Sequence, residues 1–278
     1  MISSNDSSCQ NPSVKHIHMR EVARAVILRF QRNFRLFPRD FCLISGAPRT
    51  GTTALWEWLR HQPGVSAFFE SRILVSTHRL MEEIYRFRNL EKDGAMIVNL
   101  ARQLVLGYYS NSRVLIGKRL LVDKEPLEPI AFPSRDYEQF LTSVRRLFPE
   151  SKLLFTVRDP IGTIWSMTRR TWGESLTNAE SREFTIEEYM ENWCSCVDLI
   201  SQYNTDPQTY IVQFGRLVSD PENESRRILG FLGVRGGSSF QPRQTKGIGF
   251  SNEEREKILR GVQTQLELLH SQGISELS

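Results

Sequence analysis

The stretch that most constrains the fold runs from Phe41 to Val65 and reads FCLISGAPRTGTTALWEWLRHQPGV. An apolar run enters a turn that contains Gly46 and Gly51, and the turn leads into a helical pattern. This order of strand, loop and helix is typical of sites for phosphate-like anions, because N–H groups at the helix start point toward the anion. The stretch therefore predicts an α/β fold with an anion site after its first strand.

The side chains of this loop indicate which anion it suits. The expected contacts are Pro48, Arg49, Thr50, Gly51, Thr52 and Thr53. A P-loop kinase has a lysine after the last glycine and a Walker-B aspartate that helps to hold Mg²⁺. Here Thr52 follows Gly51, the cation is Arg49, and no apolar run ends in an acidic pair. We therefore expect an anion that is balanced by cations and N–H groups, with no metal required.

The rest of the chain alternates short apolar runs with longer helical patterns, which predicts a parallel sheet covered on both faces. The predicted strands are 41–45, 65–68, 120–122, 152–157 and 209–214. The predicted helices are 52–61, 78–109, 135–148, 161–172, 185–203, 217–232 and 252–270. We expect a flexible tail over residues 1–19 and a single domain over 20–278, with a three-layer α/β architecture.

Composition narrows the class of partner. The net charge of +4 and the pI near 8.9 suit an anionic ligand but are too mild to predict nucleic-acid binding. No apolar run approaches membrane-spanning length, and the first residues lack the apolar region of a signal peptide. The four cysteines form neither a C-x-x-C pair nor a metal-ligand pattern. We expect a cytoplasmic protein that binds neither nucleic acid nor membrane, and a homodimer stays open.

A second motif makes the first more specific. The segment KLLFTVRDPIGTIWSM places Arg158 at the end of a predicted strand and Ser166 inside the next helix. Together with the loop around Arg49, it resembles the family of sulfotransferases that depend on 3′-phosphoadenosine 5′-phosphosulfate (PAPS). The resemblance implies a P-loop-like sulfotransferase fold and PAPS as the donor. It also implies that Arg49 lies beside the transferring sulfate, with Arg158 and Ser166 on the 3′-phosphate.

Three further segments extend the resemblance. LLVDKEP is similar to an Asp-Lys-x-Pro segment of the family and puts Lys124 near the sulfate. The segment YIVQFGRLVSDPENESRRILGFLGV, Tyr210–Val234, is similar to the family's Tyr-Glu-Asp-Leu segment and has Phe214 in place of its tyrosine. Ala54 stands where the cytosolic members have a tryptophan on adenine, and Phe214 is the candidate to stack there instead. A third segment occupies the place of the family's C-terminal cofactor loop, and its expected contacts are Arg243, Lys246 and Gly247.

Sulfuryl transfer to an alcohol also needs a base for the acceptor proton. The carbohydrate branch of the family uses a glutamate after the first helix, and the cytosolic branch uses a histidine. In HQPGVSAFFESRIL, Glu70 follows a short predicted strand, and His78 comes a little later. We favour Glu70 over His78 as the base. The alternatives are a surface carboxylate paired with Arg72 and a solvent-facing histidine at a helix start.

The resemblance thus implies an enzyme that moves the sulfuryl group of PAPS to a hydroxyl or amine of a small acceptor. A natural-product metabolite, for example a sugar, polyketide or alkaloid in a bacterium, is the expected acceptor class. Two other functions stay open at this point. One is a kinase-like phosphotransferase, and the other is a nucleotide-binding module without catalytic activity.

Overall fold

In the computed structural model, the described residues are 38–87, 90–112, 114–170, 183–242 and 249–274. They form a sheet of five parallel strands in the order β2-β3-β1-β4-β5. The strands are β1 (Asp40–Gly46), β2 (Val65–Phe69), β3 (Leu120–Lys124), β4 (Lys152–Val157) and β5 (Thr209–Gln213). Each lies within two residues of its predicted position, because these short apolar runs are buried in the sheet.

The helices of the described residues lie between and after these strands. They are α1 (Thr52–Leu59), α2 (Ile73–Phe87), α3 (Leu90–Ser112), α4 (Tyr137–Leu147), α5 (Pro160–Thr168), α6 (Ile186–Gln202), α7 (Phe214–Ser219), α8 (Pro221–Leu232), α9 (Asn252–Gly261) and α10 (Gln263–Ser271). None of these helices has both the length and the apolar character that a membrane span requires.

Three of the helices predicted as continuous are each divided in two in the structure. The one predicted over 78–109 is two helices, α2 and α3, and the first begins earlier, at Ile73. The one predicted over 217–232 divides at Asp220, which accepts a hydrogen bond from the N–H of Asn223 and precedes Pro221 at the start of α8. Proline suits a first helical turn but not an interior. The one predicted over 252–270 divides at Val262.

Alternate strand residues pack into two separate cores. On one face, Cys42 and Ile44 of β1 pack with α1, α7 and α8. On the other face, Phe41 and Leu43 pack with α2–α6, α9 and α10. The period-2 alternation of a strand puts neighbouring side chains on opposite faces, so each central strand contributes to both layers. The predicted three-layer α/β fold is confirmed.

The sheet brings the carboxyl ends of all its strands to one edge. In the register, Ile44 of β1 pairs with Lys124 of β3, and Gly46 pairs with Thr156 of β4. The first strand lies between β3 and β4, so the chain reverses its direction of winding there. Ligands of open α/β sheets bind outside such a switch point. The predicted tail 1–19 and the predicted contacts Arg243, Lys246 and Gly247 lie outside the described residues.

Candidate active site

The loop after β1 owes its shape to contacts with the end of β4. Thr50 is buried; its hydroxyl donates to the carbonyl oxygen of Ala47 at 2.6 Å and lies 2.6 Å from Thr156 Oγ1. Gly46 has φ of +134°, and a Cβ there would lie 2.6 Å from the carbonyl oxygen of Thr156. Only glycine fits this close approach of two backbones. Thr50 therefore fixes the loop against the end of β4.

The helix that follows the loop begins at the cavity described below. Gly51 is the N-cap of α1 and has no side chain to accept from the first N–H groups, which have no acceptor within a helix. Thr52 and Thr53 form the first turn and line the cavity. These N–H groups and the helix dipole together favour a bound anion.

The two sequence motifs meet at Arg49 and Ser166. Arg49 Nε donates a 2.8 Å hydrogen bond to Ser166 Oγ, across a sequence separation of 117 residues. Arg49 adopts a left-handed backbone with φ of +69°, and Ser166 lies in α5. A non-glycine residue with this backbone conformation is uncommon, and such residues are concentrated at functional sites. The loop cation and the helix hydroxyl therefore act on the same part of the cavity.

Arg158 lies where β4 ends, beside the first turn of α5. The next residue, Asp159, caps α5 by accepting from the N–H of Gly162. The guanidinium carbon of Arg158 lies 5.3 Å from the centroid of the Phe214 ring, and its Nε lies 3.4 Å from Asp159 Oδ2. The helix cap and the aromatic ring thus hold Arg158 against the cavity wall.

These residues line one cavity of about 860 Å³ at the carboxyl edge of the sheet. The predicted site residues in its wall are Pro48, Arg49, Gly51, Thr52, Thr53, Lys124, Arg158, Ser166 and Phe214. Other residues of the cavity wall were not predicted, namely Glu57, Trp58, His61, Pro126, Glu128, Arg170, Val218 and 238–242. Trp58 lies in α1 and His61 lies two residues after its end. The two are three residues apart within the helix predicted over 52–61, and that spacing was the available signal.

The charge of the cavity comes from guanidinium groups that lie close together. Burial lowers the pKa of Arg49, and the like charges of Arg170 and Arg158 lower it further, while Glu128 raises it. Each positive charge therefore disfavours the charged form of its neighbours, and a bound anion would relieve the repulsion between them. Arg170, one of the lining residues that were not predicted, lies after α5 and pairs with Glu128 at 3.5 Å.

Lys124 lies at the end of β3, level with Ile44, and is 2% exposed. Its ammonium contacts Glu70, donates to Thr53 Oγ1 at 3.1 Å and lies 4.1 Å from the centroid of the Phe69 ring. Burial lowers the pKa of Lys124, and the nearby Glu70 carboxylate opposes that shift. The lysine therefore links the loop helix to the residue favoured as base.

Glu70 follows β2 directly and has a left-handed φ of +43°. Its carboxylate contacts Lys124 through one oxygen, and the other accepts from Arg72 at 3.4 Å. The side chain is 11% exposed and does not form part of the cavity wall, whereas Lys124 does. The side chain of Lys124 thus lies between Glu70 and the cavity.

His78 lies elsewhere in the molecule. It is in the middle of α2 and 1% exposed, so the solvent-facing histidine at a helix start is not observed. Nδ1 lies 2.9 Å from Ser143 Oγ, and Nε2 lies 3.2 Å from Asp136 Oδ2. It does not line the cavity. The structure therefore brings Glu70, and not His78, to Lys124.

PAPS carries a sulfated phosphate and a separate 3′-phosphate, so a site for it must bind two anionic groups. A cavity of about 860 Å³ is within the usual range of ligand sites. It presents an open helix start, a group of arginines and an aromatic ring from Phe214. The guanidinium groups of Arg49 and Arg158 can each bind an anionic group of the ligand. The residues present therefore fit a nucleotide with several anionic groups.

Comparison with known proteins gives the family. The model of the sulfotransferase family matches residues 42–236, which include the loop, both arginine motifs and Glu70. The nodulation protein NoeE of Sinorhizobium fredii is 24% identical over 248 residues, which cover 79% of this chain and 54% of that protein. A protein-tyrosine sulfotransferase of Drosophila melanogaster is 25% identical over 206 residues, or 69% of this chain and 37% of that protein.

The chain spans 37–56% of the length of the curated relatives that it matches. Among solved structures, a sulfotransferase from Alicyclobacillus acidocaldarius superposes with a TM-score of 0.52 at 17% identity. The match covers 84% of this chain and 94% of that one, and it supports the same fold. Because the family model covers most of the described sheet and its anion loop, the chain belongs to the sulfotransferase family.

Proposed function

We propose that this protein transfers the sulfuryl group of PAPS to a hydroxyl or amine of a small acceptor. The observation that carries the proposal is the 2.8 Å hydrogen bond between Arg49 and Ser166. It joins the residue expected beside the sulfate to one expected on the 3′-phosphate. We therefore expect the anion loop and the second motif to bind the same ligand in one cavity.

Bound PAPS supplies a sulfuryl group whose bond to the 5′-phosphate oxygen breaks as the acceptor oxygen or nitrogen bonds to sulfur. Arg49, Lys124 and the start of α1 line the cavity and would stabilise the negative charge that grows on the departing oxygen. Preorganised donors of this kind stabilise a transition state more than its ground state. Arg158 and Ser166 hold the 3′-phosphate and thereby orient the donor.

Glu70 accepts the proton that the acceptor loses. Its carboxylate already contacts Lys124, which lines the cavity, so proton acceptance and charge stabilisation occur side by side. We expect Arg49, Lys124 and Arg158 to balance the charge of the donor without a metal ion.

The acceptor class is a small natural-product metabolite, such as a sugar, polyketide or alkaloid, in a cytoplasmic setting. The similarity to a protein-tyrosine sulfotransferase adds the phenol of a tyrosine side chain as a second class to test. Phe69 is 45% exposed beside Glu70 and offers an apolar surface to either acceptor.

A binding experiment tests the donor. Adenosine 3′,5′-bisphosphate, the product of the donor, should raise the melting temperature of the protein, and ATP with Mg²⁺ should not. Protection by ATP–Mg²⁺ alone would contradict the proposal and favour the kinase-like alternative. Because the bisphosphate lacks a sulfuryl group, the measurement isolates nucleotide binding from chemistry.

A turnover experiment tests the reaction. PAPS labelled in its sulfuryl group is incubated with a panel of monosaccharides, phenols, polyketide alcohols, alkaloids, aliphatic amines and a tyrosine peptide. Transfer of label to any of them supports the enzyme. Tight binding of the bisphosphate without transfer to any member of the panel would instead support the non-catalytic module.

A further inference from the structure

Two short segments face each other residue by residue behind the cavity. Glu70, Ser71 and Arg72 follow β2, while Asp123, Lys124 and Glu125 end and follow β3. The N–H of Glu70 donates to the carbonyl oxygen of Lys124 at 2.9 Å, and Ser71 Oγ donates to Asp123. The N–H of Arg72 donates to Glu125 Oε1 at 2.6 Å. We call these six residues the clasp.

The guanidinium of Arg72 is the centre of the clasp. It lies 3.4 Å from Glu70, 3.3 Å from Glu125 and 3.0 Å from Glu128. The Glu125 and Glu128 side chains are 0% and 2% exposed, so their carboxylates have lost almost all contact with water. Carboxylates buried to this degree need a cation, because an unpaired charge in the interior is very costly.

The backbone of the clasp is held in an unusual conformation. Glu70 and Arg72 have left-handed φ angles of +43° and +57°. Such residues persist only where surrounding contacts determine them, and they are concentrated at functional sites. The hydrogen bonds to Lys124 and Glu125 are contacts of that kind. They direct the Glu70 side chain toward Lys124 instead of along the usual course of the strand.

The ionisation of the clasp agrees with this arrangement. Burial raises the pKa of Glu125 well above its usual value, and the nearby Asp123 raises it further, while Arg72 lowers it. Burial by itself would lower the pKa of Arg72, but Glu125, Glu128 and Glu70 more than reverse that effect. Arg72 is therefore the charged group of the clasp, whereas burial favours the protonated form of Glu125.

We infer that Arg72 is a positioning residue for sulfuryl transfer: its guanidinium, anchored by Glu125 and Glu128, holds Glu70 in contact with Lys124. The inference rests on the proposed function and assigns a role to a residue that does not line the cavity. Without this guanidinium, the second carboxylate oxygen of Glu70 loses the donor that holds it at 3.4 Å. Glu70 can then leave Lys124, while the nucleotide contacts of Arg49, Arg158 and Ser166 stay in place.

Arg72→Gly is the direct test. Glycine suits the left-handed backbone and keeps the N–H that binds Glu125, so the change removes the side chain with its guanidinium and retains the backbone contact. The matched control is Arg135→Gly, since Arg135 also has a left-handed φ of +52° and pairs with a glutamate, Glu191, away from the cavity. We measure kcat and KM with PAPS and the panel compound of highest turnover, and Kd for adenosine 3′,5′-bisphosphate.

Arg72→Gly should lower kcat by roughly 10²-fold, the usual cost of a misplaced catalytic group, and leave the Kd of the bisphosphate within about threefold. Because the Arg72 side chain is 24% exposed, added guanidinium chloride at millimolar concentration should enter the vacated space and restore part of kcat. The same salt should not raise the activity of the wild-type protein or of Arg135→Gly.

Unchanged kcat in Arg72→Gly would overturn the positioning role while leaving the proposed function intact. A loss that guanidinium does not restore, with weaker bisphosphate binding, would also overturn it and indicate a structural role. If the glycine variant does not fold, Arg72→Lys keeps the charge without the forked donors, and wild-type kcat in that variant overturns the inference. No turnover by the wild-type protein would remove the proposed function, and the inference with it.

Discussion

Replacing Gly51 by alanine tests whether the anion loop needs glycine for a specific steric reason. Gly51 has φ of +105° and is the N-cap of α1. A Cβ at this position would lie 3.1 Å from Phe214 Cγ and far inside van der Waals contact with Cδ2 and Cε2. The Phe214 ring must then move, and it is the ring on which Arg158 lies.

The size of the effect follows from two contributions. A left-handed backbone costs an L-residue about 1–2 kcal/mol, and forcing extra atoms into a packed contact costs about 1–3 kcal/mol more. Gly64 supplies the control, because it has φ of +72° and no atom within 4 Å of an added Cβ. Gly64→Ala should therefore lose only the first contribution to the free energy of unfolding.

Differential scanning calorimetry measures both variants beside the wild-type protein. Gly51→Ala should melt about 2–12 °C below Gly64→Ala, which corresponds to the extra 1–3 kcal/mol at about 2–4 °C per kcal/mol. It should also bind adenosine 3′,5′-bisphosphate about tenfold more weakly, a loss of about 1.4 kcal/mol, as Arg158 loses its support. Equal melting temperatures and wild-type affinity in both variants would refute the steric argument.

The remaining predictions concern the charged residues. Arg158→Ala should weaken binding of adenosine 3′,5′-bisphosphate by about 1.5–3 kcal/mol, the range for a charge-assisted contact, and unchanged affinity by isothermal calorimetry would contradict its place on the 3′-phosphate. Arg49→Ala should lower kcat more than affinity for the bisphosphate, which has no sulfate; equal losses would indicate a simple binding role. Glu70→Gln should keep the affinity for PAPS while kcat falls roughly 10²–10⁴-fold. The wild-type reaction should also proceed in excess EDTA, and its arrest there would revive a metal-dependent reaction.

The strands were the part of the fold that sequence reasoning placed well. Each is a short apolar run bounded by turn residues, as in 152–157, where the predicted and observed bounds coincide. In the same way, the loop around Arg49 and the segment from Arg158 to Ser166 were found from their residue types. The family resemblance built on them is confirmed by the match over residues 42–236.

Helix breaks were harder, because an amphipathic pattern continues across them. The break before α8 had a local signal in Asp220 and Pro221, whereas the pattern across α9 and α10 concealed their junction at Val262. Distances between segments were harder still. The environment of His78, between Ser143 and Asp136, depends on how α2 packs against α4 and could not be read from the residues near it.

The sequence by itself determined the alternation of strands and helices and singled out the Gly-rich loop with Arg49, since these depend on neighbouring residues. Only the tertiary structure decided that Arg49 meets Ser166 and that Glu70 reaches Lys124. It also brought Arg72 between Glu125 and Glu128. Parallel pairing brings strand ends from distant parts of the chain to one edge, and the contacts made there depend on strand order and register, which no local pattern encodes.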